Sequence, residues 1–258
     1  MKDKNNKKNA LRPNEWDQST MFGSEVSFAV SEAYKLLRTN IMFSFSSESR
    51  CHVIGVMSSV RGEGKSTTAC NLAYALTEAG KRTLLMEADL RLPSISEKLE
   101  LKQVPGLTNL LVSNERPEAL VQHCKAAPKM EIITAGSSTP NPSELLGSTR
   151  MKELVADLSK SYEFIVVDLP PVTAVSDALA ISKLLDGVIM VVRSNLVTRK
   201  ELAETMRQLK LVGVRILGFA YRNSGEGNES KYARKYGRRY YRRSGYDYAP
   251  KGEEKGQK

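Results

Sequence analysis

Residues 53–68, VIGVMSSVRGEGKSTT, decide the fold of this chain. An apolar run, 53–57, gives way to small polar residues and two glycines, Gly62 and Gly64, and Lys65 then opens a helical pattern. A strand, a glycine-rich loop and a helix in this order are the context of a phosphate-binding loop. The glycines let backbone N–H groups approach phosphate oxygens, and the helix N-terminus adds a partial positive charge. We therefore expect a nucleotide-binding α/β domain.

The loop predicts a role for each of its residues. Lys65 is expected to reach the β- and γ-phosphates, and the Ser66 hydroxyl is expected to ligate Mg²⁺. The residues predicted to contact the nucleotide are Ser59, Arg61, Gly62, Glu63, Gly64, Lys65, Ser66 and Thr67. Ser59 departs from the generic pattern, which has glycine at this position. The pattern alone leaves open a chance glycine-lysine turn after a buried strand.

The rest of the chain alternates between strand and helix patterns. A helix is predicted from a cap at Ser31, and short helical pieces are predicted in 94–128. Further strands are predicted at 83–86, 130–133, 164–167, 187–192 and 215–221, and further helices after the loop and at 149–160, 176–185 and 198–211. Such alternation predicts an α/β fold like that of P-loop NTPases, with a mostly parallel central sheet and helices on both faces.

Carboxylates follow two of the predicted strands. Glu87 and Asp89 come after 83–86, and Asp168 comes after 164–167. In a parallel sheet, ligands bind beyond the carboxyl ends of the strands, where the phosphate-binding loop also lies. Ser66, Asp168 and one of the other two carboxylates would suit Mg²⁺, leaving the third to orient or deprotonate a nucleophile. Each carboxylate taken alone could instead cap a neighbouring helix.

Composition excludes several classes of protein. The sequence has no apolar run near the ~18 residues of a membrane span, and its N-terminus lacks the apolar centre of a signal peptide. Its three cysteines are widely spaced, which predicts reduced thiols in the cytoplasm rather than a metal site. The patterns divide the chain into a flexible arm (1–28), a P-loop domain (29–221) and a tail (222–258), where eleven Lys/Arg against five Asp/Glu give +6 of the net +10.

Five motifs resemble those of the bacterial tyrosine kinases that govern capsule and exopolysaccharide export. The motifs are RGEGKST (61–67), LLMEADLR (84–91), PNPSELL (140–146), IVVDLPP (165–171) and SDALAISKLLDGVIMVV (176–192). The resemblance covers about Ser31 to the C-terminus, and LLMEADLR is its specific part because ordinary P-loop ATPases lack that motif. The chain departs from the family at Glu87, where an aspartate is usual, and at Arg61, where a proline is expected.

The resemblance implies a protein-tyrosine kinase that uses ATP and Mg²⁺. It implies catalytic roles for Lys65, Glu87, Asp89 and Asp168, with Ser66, Asp89 and Asp168 on the metal. Glu87 or Asp89 would accept the tyrosine proton. The extra methylene of Glu87 moves its carboxylate outward by roughly one C–C bond, so the base role suits it less well than the metal role suits Asp89.

The tail holds six of the ten tyrosines of the chain, and these are Tyr232, Tyr236, Tyr240, Tyr241, Tyr246 and Tyr248. Family members carry such a cluster as their own substrate, phosphorylated between neighbouring subunits. Arginine interleaved with tyrosine would also suit a tail that binds RNA or DNA. The kinase motifs favour phosphate acceptors over nucleic-acid contacts.

The resemblance also implies partners. Glu32, Lys35 and Arg38 match a family motif for ring-like self-assembly, although the spacing is also that of a solvated helix face. Many family members need a membrane-anchored activator whose cytoplasmic segment completes the site, so we expect recruitment to the inner face of the membrane, and protein substrates besides the chain itself. Two alternatives are a septum-site or partitioning ATPase, although Val60 replaces the signature lysine of that class, and a scaffold that binds ATP without transfer.

Overall fold

The computed structural model describes residues 21–22, 26–45, 51–113, 115–173 and 176–222. These residues belong to one compact unit, which ends at Ser224. The predicted tail tyrosines and most of the predicted N-terminal arm lie outside the described residues. Their predicted roles therefore stay predictions.

The centre of the unit is a seven-stranded sheet in the order β3-β4-β2-β5-β1-β6-β7. Its strands are β1 (His52–Ser58), β2 (Thr83–Glu87), β3 (Gln122–Cys124), β4 (Ala127–Ile133), β5 (Phe164–Asp168), β6 (Gly187–Arg193) and β7 (Ile216–Arg222). All neighbouring strands are parallel except β3, which runs antiparallel to β4. Every residue of β1, β2 and β5 is buried, which explains why these strands read as continuous apolar runs.

Helices cover both faces of the sheet, as predicted. One core layer packs under α1 (Phe28–Phe43), α2 (Lys65–Glu78) and α3 (Ile95–Lys98). The other packs under α4 (Leu107–Val112), α5 (Pro142–Leu146), α6 (Thr149–Leu158), α7 (Asp177–Ala180) and α8 (Arg199–Leu211). Alternate residues of the central strands point into opposite layers, so that Val53 belongs to the second layer and Ile54 to the first.

Polar side chains cap three of the four longer helices, α1, α6 and α8. Ser148 accepts the N–H of Met151 at the start of α6, and Thr198 forms a reciprocal capping box with Glu201 at the start of α8. The predicted cap of α1 was wrong: the helix begins one turn earlier, capped by Ser27 rather than Ser31. The predicted arm (1–28) therefore includes the first helical residue.

Other boundaries differ from prediction where tertiary contacts outweigh local pattern. Strand β3 and helix α5 were not predicted, because a three-residue edge strand and a five-residue helix carry too little periodicity. The predicted helix 176–185 is instead the short α7 followed by a 3₁₀ turn at Ser182–Leu184. Strand β7 extends to Arg222, which the sequence analysis assigned to the tail.

Part of the predicted arm packs on the domain. Phe22 is buried, and its ring stacks on Tyr74 of α2 with centroids 4.6 Å apart and planes 9° apart. Such stacking adds to the apolar burial of both rings. Phe22 is thus attached to α2.

Candidate active site

The predicted site residues meet at one edge of the sheet. Strand β5 lies between β2 and β1, so the carboxyl ends of these three strands are neighbours. Glu87 on β2 is the register partner of Asp168 on β5, and Asp168 is in turn the register partner of Val56 on β1. Val56 lies shortly before the phosphate-binding loop in the sequence. The loop and the carboxylates of Glu87, Asp89 and Asp168 therefore share one end of the domain, as predicted.

The phosphate-binding loop has the backbone conformation that its glycines permit. Gly62 and Gly64 have positive φ angles of 88° and 93°, which residues with side chains rarely adopt. Gly64 is the N-cap residue of α2, and Lys65 is its first residue. The N–H groups of the first turn of α2 therefore point out of the helix at the loop, where they can receive an anion.

Glu63 holds the loop in shape from inside. It is fully buried, and its carboxylate accepts the backbone N–H of Val60 at 2.8 Å and that of Arg193 at 3.2 Å. Burial raises the pKa of Glu63, and these hydrogen bonds oppose the rise. The sequence analysis placed Glu63 among the nucleotide contacts, whereas the structure ties its side chain to β6.

Lys65 lies between two of the predicted carboxylates. Its Nζ is 2.7 Å from Oδ2 of Asp89 and 3.6 Å from Oδ1 of Asp168, and it also lies 3.3 Å from the Ser66 hydroxyl. Burial disfavours the charged amine, but the charges of Asp168 and Asp89 outweigh this effect and raise the pKa of Lys65. The lysine is thus held protonated, ready to bind phosphate.

Asp168 is a buried carboxylate whose oxygens have no hydrogen-bond partner among the described residues. Burial raises its pKa, although the charge of Lys65 opposes the rise. An unsatisfied buried carboxylate is costly unless a cation completes it. Asp168, Asp89 and Ser66 form a hard-oxygen set that fits Mg²⁺, which keeps several water and phosphate ligands. The described residues hold no cluster of three or more acidic, His or Cys side chains that would bind a metal by themselves.

Glu87 faces backbone donors rather than the phosphate-binding loop. One oxygen accepts the N–H groups of Ser94 at 2.5 Å and Ile95 at 2.7 Å, and the other accepts that of Ala135 at 3.1 Å. Burial raises the pKa of this carboxylate, and the three hydrogen bonds oppose the rise. Both oxygens are thus used to join β2, the start of α3 and the end of β4, which the sequence did not predict.

A second network, missed by the sequence analysis, borders the site. Arg91 donates two hydrogen bonds, of 2.6 and 3.0 Å, to the carboxylate of Asp177, which also accepts the hydroxyl of Ser143. Burial would raise the pKa of Asp177, but the hydrogen bonds from Arg91 and Ser143 outweigh it and lower the pKa. Each of the three residues lies in a different one of the five quoted motifs. Their presence in these motifs was the one indication in the sequence that they belong near the site.

The remaining loop residues take different positions. Ser59 is fully buried, and its hydroxyl has no partner among the described residues. Arg61 is exposed on the loop, whereas Ser66 and Thr67 are buried in the first turn of α2. The side chain of Arg193, which the sequence analysis did not select, donates to the carbonyl of Gly62 at 3.1 Å.

The predicted self-assembly stripe lies on α1, away from the loop. Lys35 and Glu32 form an exposed ion pair of 2.7 Å. Arg38 instead donates to the carbonyl of Ala75 at 3.1 Å and so joins α1 to α2. Within the stripe, Glu32 and Lys35 therefore contact each other on the surface, whereas Arg38 contacts a second helix.

Comparison with known proteins identifies the family. A family model described as ParA, NUBPL iron-transfer P-loop NTPase, matches residues 50–225, more than half of the chain. The tyrosine-protein kinase YwqD of Bacillus subtilis (strain 168) is 34% identical over 202 residues, which are 78% of this chain and 84% of YwqD. The chain belongs to the bacterial tyrosine-protein kinases. This family is the one to which its motifs are similar.

Other bacterial tyrosine kinases match to different extents. The putative tyrosine-protein kinase CapB of Staphylococcus aureus is 28% identical, with 81% of this chain and 90% of CapB covered. The tyrosine-protein kinase Ptk of Acinetobacter johnsonii is 34% identical, but the chain spans only 25% of its length. The match with Ptk therefore concerns one part of a longer protein.

Solved structures of kinase domains share the fold. The chimerical protein CapA2B2 has a TM-score of 0.74 at 30% identity, over 82% of this chain and 91% of that chain. The kinase domain of Escherichia coli ETK has a TM-score of 0.72 at 28% identity, over 78% of each chain. The septum-site-determining protein MinD of Pyrococcus horikoshii, at 23% identity and a TM-score of 0.57 over 69% of this chain and 72% of that chain, shares the fold alone. Among the described residues, no helix has the length and apolar character needed to span a bilayer.

Proposed function

We propose that this chain transfers the γ-phosphoryl group of ATP to tyrosines, including those of its own C-terminal segment, in a system that controls capsular or extracellular polysaccharide. The observation that carries the proposal is the position of Lys65 within 2.7 Å of Asp89 and 3.6 Å of Asp168 at the mouth of a phosphate-binding loop. The names of its relatives support the kinase activity.

The proposed residues divide the work of phosphoryl transfer. Loop N–H groups and Lys65 bind the phosphates and offset their charge, while Ser66, Asp89 and Asp168 hold Mg²⁺. The ion supplies electrostatic stabilisation of the developing charge. Because this chemistry needs little besides position and charge, a rigid buried set of side chains is sufficient.

The transfer step requires one proton acceptor. A bond forms between the tyrosine oxygen and the γ-phosphorus, the bond from that phosphorus to the β–γ bridging oxygen breaks, and ADP leaves. The hydroxyl proton passes to a carboxylate, since tyrosine has an ordinary pKa near 10 and arrives neutral. We assign this role to Asp89, which lies beside Lys65 and accepts one backbone N–H, that of Leu92 on Oδ1. Glu87 instead accepts three backbone N–H groups.

The proposal extends to partners. A membrane-anchored activator would bring the chain to the inner face of the membrane through its cytoplasmic segment, and neighbouring subunits would phosphorylate one another. Each phosphotyrosine adds about −1.5 to −2 charges. Four or more would therefore offset the +6 of 222–258, where eleven Lys/Arg oppose five Asp/Glu, and would release a tail docked at an acidic site.

Intact-mass spectrometry after incubation with Mg-ATP tests the function. Wild type, Lys65→Ala and a chain truncated after Asn223 are compared, with and without the cytoplasmic segment of a candidate activator. Lys160→Ala removes the same charge from an exposed surface pair and is the control. Mass steps of one phosphate, about 80 Da, are expected in wild type and in the control, and in neither of the other two.

A mixing experiment tests transfer between subunits. Lys65→Ala keeps the tail but lacks the catalytic lysine, whereas the truncated chain keeps the lysine and lacks the tail. We expect the mixture to place phosphate on the Lys65→Ala chain. Consumption of ATP without any mass step would contradict the kinase proposal and favour a positioning ATPase, whose fold the ParA family model shares.

A further inference from the structure

The side chain of Arg222 lies directly on the phosphate-binding loop. A Cβ atom placed on Gly64 would be 1.6 Å from Nη1 of Arg222 and 2.7 Å from its Cζ. The guanidinium therefore rests against the Cα of the residue that caps α2. Arg222 ends β7, which is the edge strand of the sheet.

This position is electrostatically unfavourable without an anion. The N-terminus of a helix carries a partial positive charge, so a guanidinium beside it is repelled. Lys65, the first residue of the same helix, carries a charge that Asp89 and Asp168 offset, so the repulsion comes from the helix end. A phosphate group bound by the loop N–H groups would turn this repulsion into attraction.

Arg222 has no partner among the described residues that would explain its position. Within the described residues its guanidinium forms no ion pair and donates no hydrogen bond. Its backbone carbonyl accepts the N–H of Ser194 at 2.9 Å. Arg193 is its register partner on β6, but that side chain already donates to the carbonyl of Gly62. Arg222 alone of these two arginines has its donors available for a ligand.

We propose that Arg222 is a phosphate-binding residue of the nucleotide site. Its guanidinium donates charge-assisted hydrogen bonds to a phosphate group of the nucleotide held by the loop. The inference rests on the proposed function, which supplies the nucleotide. It places the end of β7 in the site, beyond the loop and the strand-end carboxylates that the sequence analysis selected.

Nucleotide affinity measured by calorimetry tests the assignment. ATP, ADP and inorganic pyrophosphate are titrated into wild type, Arg222→Ala, Arg222→Lys and Arg207→Ala. Arg207 is paired with Glu204 on the exposed side of α8 and provides the matched loss of one arginine. Arg222→Ala should weaken all three ligands by roughly tenfold or more, the value of a charge-assisted hydrogen bond. Arg222→Lys should keep most of the affinity, and Arg207→Ala all of it.

Other outcomes overturn the assignment. Unchanged affinity for pyrophosphate in Arg222→Ala, with weaker ATP, would place the guanidinium on the base instead. Unchanged affinity for every ligand would remove Arg222 from the site, while phosphate transfer by wild type would leave the proposed function intact. If wild type binds no nucleotide and transfers no phosphate, both proposals fail. Thermal unfolding of each variant checks that it is folded.

Discussion

At the scale of single residues, Asp168 shows how the site balances stability against function. Its carboxylate is fully buried, with no hydrogen bond among the described residues, and Lys65 is its nearest cation at 3.6 Å. Burial raises its pKa, so the ionised form costs stability in the folded protein. In the proposed function, a bound Mg²⁺ would remove this cost. The residue is thus placed for binding rather than for folding.

We predict that Asp168→Asn raises thermal stability when Mg²⁺ and nucleotide are absent. Replacing this buried charge, which accepts no hydrogen bond within the described residues, by a neutral amide should add about 1 kcal/mol or more, a rise in Tm of roughly 2–4 °C for a chain of this size. Lys65 keeps its closer ion pair with Asp89. Because the folded-state pKa is above the unfolded value, the penalty is full above the folded pKa and vanishes below the unfolded one. The difference in Tm should therefore narrow as the pH is lowered.

The control for this prediction is Asp157→Asn. Asp157 pairs with Lys160 on an exposed face of α6, so its loss should change Tm little. Magnesium-dependent phosphate transfer should be lost in Asp168→Asn and kept in the control. A lower Tm for Asp168→Asn across the whole pH range would show that the carboxylate stabilises the fold.

At the scale of elements, short ties between loops hold the site in place. Glu87 joins the end of β2 to the start of α3 and the end of β4, Glu63 joins the loop to β6, and Arg91 joins the β2 loop to α7. Each tie uses a buried carboxylate, whose oxygens the donors satisfy. The glutamate at position 87 performs this task, although the motif favours an aspartate.

We predict that Glu87→Gln destabilises the fold by about 1–3 kcal/mol, the cost of an unsatisfied buried donor. Glutamine has one acceptor oxygen, and its NH₂ group would face an N–H group of Ala135 or of the α3 start. Urea unfolding measures the change, and Glu153→Gln, on the exposed side of α6, is the control. The rate of phosphate transfer by Glu87→Gln should still fall as the pH is lowered, as in wild type, because the proposed proton acceptor is Asp89.

The opposite result would restore the base role predicted for Glu87. In that case, Glu87→Gln would unfold at the wild-type urea concentration, and the acidic limb of the pH profile would disappear with most of the activity. The two readouts separate a positioning residue from a proton acceptor. Asp89 would then lose its proposed role as proton acceptor and keep its proposed role as a ligand of Mg²⁺.

At the scale of the whole molecule, charge and surface bear on the proposed assembly. The net charge is +10, and eleven Lys/Arg against five Asp/Glu place +6 of it in residues 222–258. The stripe predicted for self-assembly lies on α1, where Lys35 and Glu32 are exposed and Arg38 contacts α2. Arg38 therefore links α1 to α2 within one subunit, in addition to its predicted role between subunits.

We predict different effects of Lys35→Ala and Arg38→Ala on the assembled kinase. Lys35→Ala should lower the mass measured by light scattering without changing Tm, because an exposed ion pair adds little stability. Arg38→Ala should lower both, because it also removes the hydrogen bond to Ala75. Lys152→Ala, on an exposed part of α6, is the control. An unchanged mass in both variants would contradict the predicted interface.

Local sequence patterns were enough to predict the fold class, the phosphate-binding loop and the strand-end carboxylates. Continuous apolar runs, a glycine-rich loop after a strand and acidic residues at strand ends are local patterns, and together they are typical of a buried parallel sheet with a ligand site at its carboxyl edge. The family motifs extended this prediction to a kinase. The central strands were therefore predicted to within about two residues, in line with the usual uncertainty of element ends.

The contacts of individual side chains depend on how the elements pack and could not be predicted from local patterns. The sequence could not show that Glu87 accepts the N–H groups of Ser94, Ile95 and Ala135, or that Arg91 binds Asp177. It also assigned Arg222 to a tail, whereas the edge of the sheet brings it onto Gly64. Such contacts join residues far apart in the chain, and their partners are fixed by strand order and packing rather than by local pattern.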